Sequence, residues 1–229
     1  MLDLVAFLWL MACWSGFELF TRLPHRRVGL SQVMNRIRHC WAMEILHRDN
    51  RVTDSGLLGN IMRGASFYAS TSVLILLACL ALLGTIEEAR QLLERLPLAY
   101  TSPLWVWEVK IIFLALIFTF AFFVFTWALR QFNHCCALVG GLPVYRADDP
   151  QARRMAAGLG VIIALATSSL NLGLRAYYFG LATVMWLVHP LLVMVAASAI
   201  LGLLVHRELF SHTRRVLLEQ VIAESPAGE

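Results

Sequence analysis

The sequence predicts an all-α, polytopic helical membrane protein of about five spans, within a range of four to five. It also predicts long helices that reach past the bilayer into the cytoplasm, and an amphipathic helix on the inner leaflet. Three observations carry this. Of the 229 residues, 59% are apolar and only 15% charged, whereas soluble domains carry roughly 25% charged residues. Mean hydropathy is +0.68. The charges gather between long charge-free runs instead of being spread along the chain. Such a balance excludes an ordinary soluble enzyme, a disordered regulator and a disulfide-stapled secreted module. Net charge is +4, and every basic residue except Lys110 is Arg. Because the Arg flank apolar runs and form no basic domain, no nucleic-acid partner is expected.

A bilayer core about 30 Å thick needs about 20 mostly apolar residues per crossing. Leu4 to Phe17, between Asp3 and Arg22, gives a short first span with no formal charge. A signal peptide would need a basic n-region, which is missing, so a retained anchor is expected. Gly64 to Ile86 and Ile111 to Leu129 are the second and third runs. From Met155 to His206 the single formal charge is Arg175. One helix of that length would reach about 78 Å, so a helical hairpin is required, with its turn between Gly180 and Pro190 and Pro190 near the start of the fifth helix. The expected layout is one domain, 1–229, with spans near 3–22, 64–86, 106–130, 155–180 and 184–206.

The segments 23–63, 131–154 and 207–229 hold most of the Arg and fall together on one side of five alternating spans. By the positive-inside rule that side is cytoplasmic, in a bacterial inner membrane, with the N-terminus outside and the C-terminus inside. Asp54 is a good N-cap for a second helix running to Thr85, and the third helix can run from Leu104 to about Leu138 before Gly140-Gly141-Leu142-Pro143. Both would outlast the bilayer. Ser31 can cap a helix whose apolar positions are Val33, Met34, Ile37, Trp41 and Ile45. Arg36, Arg38 and Arg48 are then candidates to meet anionic lipid on the inner leaflet. The same helix could also pack on the inner ends of helices two and three, and the two placements are not exclusive.

Three stretches resemble a known family. They are Asn60-Ile61-Met62-Arg63-Gly64-Ala65-Ser66 with Ala69-Ser70-Thr71-Ser72, Glu108-Val109-Lys110, and Asn171-Leu172-Gly173-Leu174-Arg175-Ala176-Tyr177-Tyr178-Phe179. Together they resemble the membrane proteins grouped as domain of unknown function 599, over roughly Trp41 to Leu209. The resemblance implies a small polytopic helical membrane protein and supplies no catalytic or ligand residues.

The candidate sites are therefore argued from chemistry. The second helix opens with Gly64, Ala65, Ser66, Ala69, Ser70 and Ser72, a small-residue face suited to close helix packing. Alternatively, Ser66, Ser70 and Thr71 could line a polar pathway. On the fourth helix, positions 164, 168, 171 and 175 share one face, which presents Ser168, Asn171 and Arg175. A charge inside a membrane is a functional hypothesis by default. Arg175, expected near the outer interface, could pair with Glu108, or could act with Lys110 to attract an anion. The histidines and Cys135-Cys136 lack the converging spacing of a metal centre, nucleophile and nucleotide motifs are absent, and no cofactor is expected. Two non-enzymatic functions follow. One is a homo-oligomeric channel or permeation pathway for a small inorganic ion, leaning to anions. The other is a membrane scaffold that binds anionic lipid or a partner through its Arg-rich side.

Overall fold

In the computed structural model, residues 1–22, 29–95, 100–144 and 148–219 are described. Parts of the expected cytoplasmic segments (23–28, 145–147 and 220–229), and residues 96–99 between the second and third spans, lie outside them. Among the described residues the chain forms eight α-helices and no strand. They are α1 (Leu2–Arg22), α2 (Leu30–Glu44), α3 (Val52–Gly84), α4 (Ile86–Leu93), α5 (Leu104–Gly141), α6 (Pro150–Met185), α7 (Pro190–Leu209) and α8 (His212–Leu217). The segments α1, α3, α5, α6 and the one beginning at Pro190 are long and apolar enough to cross a membrane. This is a multi-pass integral membrane protein.

The helix starts show why the long apolar stretch breaks in two. Pro150 occupies the first turn of α6, where its missing N–H costs nothing, and the Asp149 carboxylate accepts the Gln151 N–H at 2.8 Å. The chain leaves α6 at Met185, turns through residues 186–189 and restarts at Pro190, with His189 Nδ1 accepting the Leu191 N–H at 3.0 Å. Two expected caps are different. Helix α3 begins at Val52, and Asp54 lies inside its first turn, fully buried. Ser31 follows the N-cap Gly29, and its N–H and hydroxyl are bound by the two carboxylate oxygens of Glu208, each at 3.0 Å. A carboxylate from the end of α7 thus caps α2 across the fold, where a local side chain was expected.

α5 and α6 form the central antiparallel pair. A Cβ on Gly173 would come within 2.6 Å of the Phe125 ring, and one on Gly180 within 3.0 Å of the Phe118 ring. These two contacts set the register, and glycine is what lets the helices close. α3 packs along α5, α1 packs on α7, and α7 packs on α6. With 33, 38 and 36 residues, α3, α5 and α6 reach about 50 Å or more. They therefore extend well past a bilayer about 30 Å thick. Around their extended ends lies a core of Ala42, Ile45, Leu46, Leu58, Phe132 and Leu159, which includes α2.

That placement adds to the expected packing of the amphipathic helix. α2 shares this core with the ends of the second and third spanning helices, but its main partner is α6. A Cβ on Gly160 would fall 2.9 Å from His39 Nδ1 and 3.2 Å from its Cα, so the two helices nearly touch there. The other end of α2 is tied to α3: Asp54 Oδ1 accepts Trp41 Nε1–H at 2.7 Å and Arg48 Nη1–H at 2.6 Å. Next to it, the Arg51 guanidinium donates to the carbonyls of Val139, Leu142 and Pro143 at 2.6–3.0 Å. It thereby closes the C-terminus of α5, whose last carbonyls have no helical partner.

Candidate functional site

Side chains of α1, which packs on α7, reach the upper part of α6 and the turn after it at Arg175, Phe179 and Trp186, and α2 covers α6 at Gly160. The stretch of α6 between them is left open to a slot of about 520 Å³, walled by α1, α2, α6 and α7. Ala164, Ser168, Asn171 and Arg175 all line it. From Ala164 to Arg175 is about 16 Å along the helix, so a polar ladder climbs from the α2 end toward the middle of the molecule. The Ser168 and Asn171 side chains make no hydrogen bond among the described residues. Phe17, Phe20, Met34, Leu172 and Leu204 add apolar surface to a wall that also carries Thr21, Gln32, Asn35 and Thr167.

Charges stand at both ends. At the α2 end are Arg38, Arg207 and Glu208. Glu208 is occupied by Ser31, while Arg38 Nη1 meets only the Asn35 side-chain oxygen at 2.9 Å. Neither Arg38 nor Arg207 has an acidic partner among the described residues. Burial pulls the Arg38 guanidinium below its ordinary value, the signature of a cation that has lost water without gaining an anion. At the closed end, Arg175 Nη1 lies 3.1 Å from each oxygen of Glu18 and 3.4 Å from Thr21 Oγ1. Its Cζ stands 4.9 Å from the centroid of the Phe17 ring. Above it, Trp14 and Phe179 stack at 5.5 Å.

The partner of Arg175 is therefore Glu18 and not Glu108. The register set by Gly173 and Gly180 puts Arg175 level with about Phe123. That is about fifteen residues, roughly 22 Å, from the level of the exposed Glu108. Arg175 also does not share a site with Lys110. Lys110 is 2% exposed, sits 2.8 Å from Asp3 and donates to the Trp186 carbonyl at 3.2 Å. Trp186 Nε1 donates to the same Asp3 oxygen at 2.9 Å. Lys110 thus fastens the N-terminus to the α6–α7 turn. The small-residue face of α3 splits in two: Ala65, Ala69 and Ser72 are buried against the bundle, whereas Ser66 and Ser70 are exposed on the outside. Thr71 bonds its own helix at Phe67. Of the three expected lipid-facing arginines, Arg36 is exposed, Arg38 lines the slot and Arg48 holds Asp54.

Sequence reasoning missed Asp3, Glu18, Arg207 and Glu208. A signal for the first two was present: one cation lies inside the apolar runs and another borders one, and Asp3 and Glu18 bracket the first run. Among the described residues no three His, Cys, Asp or Glu side chains converge to hold a metal ion.

The sequence model of the family described as a protein of unknown function, DUF599, matches residues 5–213. The chain belongs to the DUF599 family. Every residue lining the slot of this DUF599 protein lies inside the matched stretch. No curated protein and no solved structure matches the chain.

Proposed function

We propose that this protein is a non-catalytic membrane protein that binds anionic lipid head groups in the α1/α2/α6/α7 slot, with its α2 end on the cytoplasmic side of a bacterial inner membrane. The observation that carries this reading is the pair Arg38 and Arg207, two cations without carboxylate partners among the described residues, at the mouth of an amphipathic cavity. Arg pairs readily with phosphate and carboxylate oxygens. A mouth at the inner interface would open onto the leaflet in which anionic lipids concentrate. The orientation follows from the Arg-rich segments around α2 and the ends of α5 and α7.

A second reading is favoured by the polar ladder and by the outward-facing Ser66 and Ser70: a homo-oligomer that conducts a small anion, with those serines at contacts between copies. It needs the Arg175–Glu18 pair and the Trp14–Phe179 stack to part. Reconstitution into membranes of mixed phosphatidylcholine and phosphatidylglycerol separates the two readings. Native mass spectrometry is expected to find phosphatidylglycerol retained several-fold over phosphatidylcholine, with the preference lost in the R38A/R207A double variant. Equal retention of both lipids by the wild type would sink the lipid reading. Anion flux through the same membranes would move the assignment to the pathway.

A further inference from the structure

The closed end of the slot carries chemistry that the mouth does not need. We infer that Arg175 anchors an inner anion subsite, in which Glu18 is a built-in competitor. The subsite takes the phosphate or carboxylate group of a slender ligand that follows Ser168 and Asn171 up the slot. This rests on the reading of the slot as a binding site for anionic groups.

Three features of Arg175 lead here. First, Glu18 engages it through one nitrogen: both carboxylate oxygens meet Nη1, and the parallel two-nitrogen fork that makes Arg–carboxylate pairs strong is not used. Nε and Nη2 make no hydrogen bond among the described residues, and neither is among the buried unpaired atoms. The guanidinium therefore keeps two accessible donors in a cavity wall, in the geometry that binds phosphate. Second, the orientation of Arg175 does not depend on Glu18 alone. The Phe17 ring stands 4.9 Å from Cζ, a cation–π contact that fixes the plane of the group. Third, the route is supplied with free polar groups. Asn171 and Ser168 lie about one and two turns below Arg175 on the same face and have no partner among the described residues, so they can donate to a head group on its way or in place.

The charge of Glu18 then sets the affinity. An anion on the free edge of Arg175 lies a few ångströms from a carboxylate that already answers the same cation, and like charges at that range in a partly desolvated cavity repel strongly. Removing the Glu18 charge should tighten binding, the opposite of what a purely structural ion pair predicts. In that case E18Q would leave a partly buried Arg unpaired and only loosen the fold.

The test is calorimetric titration of the full chain in detergent with inorganic phosphate and with dodecyl phosphate. The two probes distinguish a soluble anion from an amphiphile as the source of the head group. E18Q is expected to bind at least one probe about tenfold more tightly than wild type. R175K keeps the charge but lacks the fork, and is expected to bind about tenfold more weakly while its thermal midpoint stays near that of wild type. If wild type binds, R38A/R207A does not, and both E18Q and R175K match wild type, the inner subsite is overturned and the mouth reading stands. If neither wild type nor E18Q binds either probe, both readings fall. Should E18Q not fold, R175K decides alone: unchanged affinity overturns the subsite.

Discussion

Lys110 at the edge of the third apolar run and Arg175 inside the last one are both answered by acids of the first helix, Lys110 by Asp3 and Arg175 by Glu18. A charge held away from water needs a partner and hydrogen bonds to be tolerable. Lys110 has both and works as a fastener, whereas Arg175 has a partner on one nitrogen and faces a cavity. At the same scale, Gly173 shows what close approach demands. The Phe125 ring that a Cβ would strike is fully buried and stacked on Tyr68 at 5.4 Å, so it cannot swing away. Gly173→Ala is expected to destabilise the protein by about 1–3 kcal/mol through overpacking, read as a lower thermal midpoint in detergent. An unchanged midpoint would mean that α5 and α6 are not in this register.

Helix α2 is where local pattern and tertiary contact part. Its spacing of Val33, Met34, Ile37, Trp41 and Ile45 is correctly amphipathic, and Val33, Ala42 and Ile45 are buried. What the apolar face covers is protein, chiefly α6 near Gly160 together with the ends of α3 and α5, with its two ends held by Glu208 and Asp54. Asp54 is fully buried and leaves Oδ2 unpartnered. Its worth lies mainly in accepting the Trp41 N–H, since Arg48 is 37% exposed and can turn to water. Asp54→Ala leaves that indole donor without a partner and is expected to cost about 1–3 kcal/mol. The loss should appear as faster proteolysis within 45–51 and a lower thermal midpoint. Equal protease resistance in mutant and wild type would show that the α2–α3 junction is held by its apolar core alone.

At the scale of the molecule, the excess length of α3, α5 and α6 places α2, the slot mouth and the Arg-rich ends on one side. Orientation follows as an expectation with a direct measurement. Cys40 and Cys136 are the exposed cysteines, both toward the α2 end, while Cys13, Cys79 and Cys135 are buried. A membrane-impermeant maleimide should label the protein in inverted vesicles and not in intact cells, and C40S/C136S should abolish the signal. Labelling of intact cells would reverse the topology, and with it the leaflet that the slot can sample.

Hydropathy is a local property, so the sequence by itself determined the membrane class, the five apolar helices, the hairpin forced by 52 residues with one charge, and the single α6 face that carries Ser168, Asn171 and Arg175. The pairings were decided only by tertiary structure. Glu18 and Arg175 are 157 positions apart, and Asp3 lies a comparable distance from Trp186; no spacing rule links residues so separated. That Glu108 misses Arg175 depends on how far α6 slides against α5, which is set by Gly173 and Gly180 closing on two phenylalanines, and that Glu18 meets it depends on where α1 lies on α7. The slot exists for the same kind of reason. α1 and α2 cover different lengths of α6 and leave a gap between them, and a gap between elements has no signature in any one of them.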